Sequence, residues 1–382
     1  MPERTDLYHR QRRIPGWRQA RLAGARVLVA GAGATGNEVL RLLARSGVGH
    51  IAVVDFDQVE RSNLSRTSLF DECDVGANKA KAAVAALLKI HPELLATAFA
   101  GRLQTSVGAG TLRAMDIAVG CLDSVEARLA LNRMCRAAGT PWVDVGIEAD
   151  AAAVTLFGGR SGACYECEMT EEMWQARSRR HSCTGAPVRA ADAPAGVSIT
   201  MAALAGAIAA HEVLWMLMTP RAKQAARCGR RIMVSANGWH MDTTKPAQNP
   251  QCNAHELAAP IAATPPGAQE WTTAELLTFF GCPDGSVELP HDALMGWRCT
   301  ECGYLRTEIG ALEAIRPSRL KCRCGSRQLQ LDVSSTIESG EPEADIALHR
   351  LGVPEGGLLR LRCGRRRFYA ELGGPFQFGT EG

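Results

Sequence analysis

The sequence predicts an α/β fold, a doubly wound parallel sheet followed by a small α+β unit, and three observations predict it. The first is a strand, glycine loop, helix and strand in succession: Val27 to Ala30, then Gly31-Ala32-Gly33-Ala34-Thr35-Gly36, then an apolar-faced helix, then Ile51 to Val54 ending in Asp55. The second is that residues 25–150 go on alternating short apolar runs with helical periodicity, as successive βαβ units do. The third is a change of character near Pro265-Pro266-Gly267, after which cysteines recur at metal-ligand spacing and the chain ends in hairpin-like runs.

Each element follows from local chemistry. Val39, Leu40, Leu42 and Leu43 lie on one helical face, and Gly47 closes that helix. Ala82 to Ile90 is an Ala- and Leu-rich helix stopped before Pro92. Met115 to Gly120 reads as a strand ending at Cys121-Leu122-Asp123-Ser124, Val125 to Ala138 as a helix closed by Gly139, and Trp142 to Ile147 as another strand. Val197 to Met218 is the most apolar stretch. It contains His211 and Glu212 and is rich in Ala and Gly, so a buried helix is expected rather than a membrane span. Thr264 to Glu270 reads as a linker, and Thr272 with Glu275 makes a capping box for the helix beyond it. Leu358 to Arg362 and Arg367 to Leu372 form strand-like runs around Cys363-Gly364-Arg365-Arg366.

Composition limits the function classes. The 382 residues suffice for more than one domain, and 43 Lys+Arg against 40 Asp+Glu leave a net charge of +3, which does not argue for nucleic acid. The basic clusters at 177–180, 227–231 and 365–367 are short and read as solvated faces. Met1 to Arg13 is polar and basic, unlike a signal peptide, so a cytoplasmic chain is expected. In that setting the 14 cysteines, several paired as C-x-x-C, suit metal ligands or catalysis better than disulfides. Cys73, Cys121, Cys135, Cys228 and Cys282 lack partners at ligand spacing and read as small apolar residues.

Gly31, Gly33 and Gly36 let backbone approach a phosphate at a helix start, where free N–H groups and the dipole favour anions. Asp55 suits a ribose hydroxyl. This much also fits a nicotinamide cofactor, and an NAD-dependent oxidoreductase is one reading. Asp57, Asn63, Arg66 and Lys79 then crowd the next two dozen residues. A dinucleotide leaves them without work, whereas a triphosphate losing pyrophosphate needs donors and fixed cations. Asp57, two residues from Asp55, shares its side if the strand continues.

The pattern D-x-D, S-N-L-x-R, G-x-x-K-A resembles the E1-like family, the adenylating enzymes for ubiquitin-like proteins and sulfur carriers, over about residues 8–255. The resemblance implies a Rossmann-like adenylation domain, ATP with Mg2+, and a homodimer in which Arg10 enters the partner protomer's site. It implies that Lys79, Asn63 and Arg66 meet the phosphates and that Asp123 contacts Mg2+. Asp123 is otherwise a helix N-cap, a task Ser124 can also perform. In relatives with a catalytic cysteine, that residue lies on a crossover loop, here about residues 170–200, and Cys183 matches its place. Arg179, Arg180 and His181 favour its thiolate; the plain alternative is a loop cysteine. The implied partners are a ubiquitin-like substrate and an E2-like carrier, with no nucleic acid and no membrane, and a compact chain of this kind resembles bacterial conjugation enzymes. Activation of a sulfur carrier without an enzyme thioester, and a non-catalytic zinc scaffold, are the competing readings.

Two cysteine sets read as Zn2+ sites. Cys164-Tyr165-Glu166-Cys167 and Cys252-Asn253-Ala254-His255 are half-sites whose spacing lets two ligands grip one metal. E1-like proteins often carry two C-x-x-C pairs at these places, so His255 departs from the pattern. A redox pair is the alternative for Cys164 and Cys167. Cys299 and Cys302 with Cys322 and Cys324 read as a zinc ribbon. The expected domains are residues 1–262, the zinc-stapled adenylation domain, and 263–382, an accessory partner-binding domain.

Overall fold

The computed structural model describes residues 7–170, 198–256, 261–315 and 317–373. The first unit is built on eight strands: β1 (Arg26–Ala30), β2 (His50–Val54), β3 (Leu95–Phe99), β4 (Ile117–Gly120), β5 (Trp142–Ile147), β6 (Ala151–Phe157), β7 (Arg230–Ser235) and β8 (His240–Thr244). Their order is β3-β2-β1-β4-β5-β6-β7-β8. Pairings from β3 to β5 are parallel, and those from β5 to β8 antiparallel. The order in which the parallel strands are added reverses between β1 and β4, which opens a crevice at the carboxyl ends of those strands.

The helices of this unit include α1 (Gln19–Ala23), α2 (Ala34–Arg45), α3 (Lys79–Ile90), α4 (Leu103–Ser106), α5 (Ala109–Arg113), α6 (Val125–Ala138) and α7 (Ile199–Met218), with one further short turn of helix at Arg221–Gln224. Strand alternation sorts the core. Val27, Val29, Ile51 and Val53 pack on the face covered by α2, α3 and α7. Leu28, Ala30, Ala52 and Val54 face α4, α5 and α6. By length and composition α7 passes for a membrane span, yet 67% of its most apolar window is buried in the protein. It crosses α2 closely: a Cβ on Gly206 would lie 2.6 Å from the Cβ of Glu38. Ser198 caps its start, accepting from the Met201 N–H at 3.1 Å.

The cluster at 227–231 is not the solvated face expected. Buried Glu212 on α7 pairs with Arg230 and, at 3.4 Å, with Arg227. Arg231 pairs with Glu168 and donates to Thr155 Oγ1 at 3.0 Å. These arginines bind the antiparallel half of the sheet to α7 and to the segment after β6.

The second unit has β9 (Ile261–Ala263), β10 (Ser286–Cys299), β11 (Leu305–Ala311), β12 (Leu329–Glu338), β13 (Leu358–Cys363) and β14 (Arg366–Glu371). The sheet order is β11-β10-β13-β14-β9, with β12 also on β10. Because β9 pairs with β14, residues 264–270 do not link two domains; they are a turn within this unit, with Thr264 buried. After it, α8 (Thr273–Phe279) starts in the expected capping box of Thr272 and Glu275. The reading of Cys282 as an unpaired apolar residue is corrected: it forms a disulfide with Cys363, 81 positions away. Cys73 is exposed and so is no packing residue. The two units touch backbone to backbone, Gly110 N–H donating to Gly356 O at 3.1 Å. Arg113 also pairs with buried Glu371. Beside this contact a cleft of about 870 Å3 lies between α6 and β10.

Candidate nucleotide crevice and cysteine clusters

The three loop glycines are needed for different reasons. Gly31 has φ +94°, and a Cβ there would sit 2.3 Å from the Cys121 carbonyl oxygen. A Cβ on Gly36 would sit 1.9 Å from Gly31 O. Around Gly33, among the described residues, no atom other than its own chain neighbours lies within 4 Å of where a Cβ would be. Gly33 precedes α2, and no side chain caps that helix start. Uncapped N–H groups beside open space are suited to an anion.

Asp55 fastens this loop to the turn after β2. Its Oδ2 accepts from Ala32 N–H at 2.7 Å and its Oδ1 from Asp57 N–H at 2.8 Å. Burial raises its pKa above the ordinary carboxylate value, against the lowering effect of these two N–H groups. The strand stops at Val54, so Asp57 does not continue it. Asp57 instead accepts from Lys79 Nζ at 2.9 Å, leaving the lysine side chain only 13% exposed at the start of α3. Asn63 is buried, and its Oδ1 accepts from Glu60 N–H at 3.0 Å. Arg66 Nη1 donates to Ser62 O at 2.7 Å.

On the other rim Ser124 caps α6, accepting from Ala127 N–H at 3.2 Å. Asp123 is exposed, and no hydrogen bond or ion pair to its carboxylate is found among the described residues. Cys121 beside the loop is half-buried, and desolvation of its thiol pushes it up to about 12 and makes it a poor nucleophile. Arg10 is exposed. Tyr8, two residues earlier, abuts Gly47, since a Cβ there would lie 2.5 Å from the Tyr8 ring. Gly47 follows the far end of α2, roughly 18 Å from the glycine loop for a 12-residue helix. Cys183 lies outside the described residues.

Sequence reasoning missed the residues that hold this site together. Asn37, wholly buried, donates to Ala32 O at 2.7 Å and Gly33 O at 3.0 Å, and accepts from Leu69 N–H at 3.0 Å. Asn78 caps α3 and donates to Asp55 O at 3.0 Å and Asp57 O at 3.1 Å. Arg128 and Asp144 brace the Asp123 loop. A polar residue on an otherwise apolar helix face was the available signal for Asn37.

Both cysteine sets converge. In the first, Cys164 Sγ lies 3.7 Å from the Sγ of Cys167 and of Cys252, and Cys167 Sγ lies 3.2 Å from His255 Nε2. In the second, Cys299 and Cys324 are 3.7 Å apart and Cys302 and Cys322 3.5 Å. Thiolates around a tetrahedral zinc at about 2.3 Å are about 3.8 Å apart, so both sets fit that metal. Glu166, inside the first knuckle, is buried and takes Arg133 in a two-point pair, each contact 2.9 Å. Arg136 donates to Ala254 O at 2.9 Å from the same helix, so α6 holds both half-sites.

A glycine loop at the switch point of a doubly wound sheet, flanked by a tetrahedral cysteine–histidine cluster, defines a nucleotide-binding α/β protein. A family model described as the ThiF family matches residues 8–254, and the chain belongs to that family. It is 36% identical over 163 residues to mouse "Adenylyltransferase and sulfurtransferase MOCS3", covering 42% of this chain and 35% of that protein. It is 31% identical over 236 residues to the "SAMP-activating enzyme E1" of Haloferax volcanii, covering 61% of this chain and 81% of that protein. The chain thus spans about a third of MOCS3. Among solved structures, E. coli MccB with succinimide is 26% identical, with a TM-score of 0.50 over 62% of this chain and 68% of that one. MccB with ATP shares the fold at 24% identity, with a TM-score of 0.54 over 66% and 75%.

Proposed function

We propose that this protein uses ATP to adenylate the C-terminal carboxylate of a ubiquitin-like or sulfur-carrier protein. The observation that carries the reading is the joint made by Asp55. One carboxylate ties the glycine loop to the turn whose Asp57 anchors Lys79, so a fixed cation stands beside an open, uncapped helix start. Phosphates lie across Gly33, with Lys79 and Arg66 supplying positive charge and the Asn63 Nδ2 group a donor. Asp55 keeps lone pairs for a ribose hydroxyl. Asp123 offers a free hard oxygen that suits Mg2+, and the ion when bound neutralises phosphate charge. The substrate carboxylate attacks the α-phosphorus, pyrophosphate leaves and an acyl-adenylate forms; no protein nucleophile is required. Arg10 acts on the partner protomer's site in a homodimer, because its own anchor lies at the far end of α2. Each cysteine cluster holds one structural zinc.

The finer reading adds Cys183. Its thiolate attacks the acyl carbon, AMP leaves, and the resulting thioester passes to the cysteine of an E2-like carrier. The likeness to MOCS3 favours a second reading, in which the adenylate is handed to sulfur chemistry with no enzyme thioester. ATP–pyrophosphate exchange dependent on a small protein ending in Gly-Gly tests the adenylation. No exchange with any such protein and no ATP binding sinks it. A thiol-sensitive adduct lost in Cys183→Ala supports the thioester; exchange without any adduct in the wild type selects the sulfur-carrier reading.

A further inference from the structure

The most heavily bonded side chain near the crevice is one the reaction does not use. Arg128 Nη2 and Nε donate to Leu122 O at 2.8 and 3.2 Å, and Nη2 also to Val145 O at 3.3 Å. Its Nη1 donates to Asp144 Oδ2 at 3.1 Å. Four of its five N–H donors are spent on these protein partners, so this guanidinium faces the protein rather than a phosphate. Both partners are mostly buried, with side chains 19% and 9% exposed. Among the described residues Asp144 Oδ1 is buried with no hydrogen-bond partner, so Arg128 is the group paired directly with that carboxylate, and Arg231 adds a more distant positive charge.

The carbonyl that Arg128 grips twice belongs to Leu122, the residue before Asp123. The other constraint on this turn is Ser124, which caps α6. Asp123 therefore stands on a single residue held on both sides: by Arg128 through the preceding carbonyl, by Ser124 through the following cap. Its own carboxylate takes no part in either restraint. The planar fork of Arg128 reaches two carbonyls and a carboxylate at once, which a lysine cannot do. The preceding residue Cys121 packs against Gly31 and Gly36, so the same clamp fixes the floor of the loop.

We infer that Arg128, charge-balanced by Asp144, is the positioning residue that aims the Asp123 carboxylate at the metal accompanying the nucleotide. This rests on the adenylation reading and names the part of the chain that sets its metal dependence. The test is ATP affinity by calorimetry, with Mn2+ and separately with EDTA, in wild type, Arg128→Lys, Asp123→Asn and the double variant. Arg128→Lys is expected to lose about tenfold of the affinity gained from Mn2+ and to match wild type in EDTA. The double variant is expected to bind no worse than Asp123→Asn, because one broken geometry cannot be broken twice. Asp144→Asn, which keeps the shape and removes the charge, loses part of the same gain and stands in if Arg128→Lys does not fold. An unchanged Mn2+ gain in Arg128→Lys, or additive losses in the double variant, overturns the inference. Wild-type protein with no metal-dependent ATP binding overturns the functional reading itself, a result distinct from either.

Discussion

Gly33 and Gly36 stand three residues apart in one motif and are required for opposite reasons. At Gly36 the constraint is internal, since a methyl group would meet the Gly31 carbonyl. Gly36→Ala is expected to cost about 2 kcal/mol through forced backbone movement, read as a lower melting temperature. At Gly33 the space is open and the backbone, φ −75° and ψ −160°, is accessible to alanine. Gly33→Ala should leave the melting temperature within about 2 °C yet weaken ATP binding about tenfold or more, measured by calorimetry. His291 gives a pH signature of its own. Its Nε2–H donates to Leu351 O at 2.8 Å, so the lone pair is on Nδ1, which is buried without a partner. Burial lowers the imidazole pKa below its usual 6.5. The unfolded chain then takes up a proton that the folded state resists. Stability is full above 6.5 and lost as pH falls from there toward the lower folded value. The urea midpoint of the second unit should drop between about pH 7.5 and about pH 5.5, and His291→Gln should flatten that drop.

Among the elements, α6 joins the crevice to the first cysteine cluster. One helix carries Arg128 toward the crevice, Arg133 toward Glu166 and Arg136 toward Ala254, so the crevice and the first cysteine cluster share a rigid support. Metal analysis is expected to give about two zinc ions per chain, with Cys302→Ser retaining about one and Cys167→Ser losing the other. Loss of the first ion should raise hydrogen exchange at 252–255 and leave the ribbon unchanged. A redox pair at Cys164 and Cys167 predicts instead a thiol titration with no bound metal. Elements with a clear period were legible: α6, β5 and the β13–β14 hairpin lie where the residues put them. The edge strands β3 and β8 were not, because their residues are half-buried or exposed and carry little alternation.

For the whole molecule the decisive features are the backbone contacts between the units and the position of Arg10. Gly110 against Gly356, with Arg113 on Glu371, seats the second unit on the α5–α6 side of the sheet. The proposed homodimer would then meet its second copy on the α2–α7 side and the N-terminal segment. Mixing the inactive variants Arg10→Ala and Lys79→Ala should restore activity at about a quarter of the sites, since half the dimers are mixed and each holds one intact site. Recovery would be absent if Arg10 served its own protomer, and Arg10→Ala would be active by itself if Arg10 served no site.

Local spacing by itself determined the glycine loop, the D-x-D turn, the half-sites at 164–167, 252–255, 299–302 and 322–324, and the βαβ alternation behind the parallel half of the sheet, because each depends on residues close in sequence. Only the tertiary structure decided that Cys282 meets Cys363, that the arginines at 227–231 serve Glu212 and Glu168, and that Arg128 braces the Asp123 turn. The first two are meetings of residues distant along the chain, and Arg128, though near Leu122 in sequence, is held in its pose by Asp144 and Val145 on the neighbouring strand. A charge or thiol looks the same in the sequence whether it faces water or a buried partner, and burial by the folded chain makes the difference.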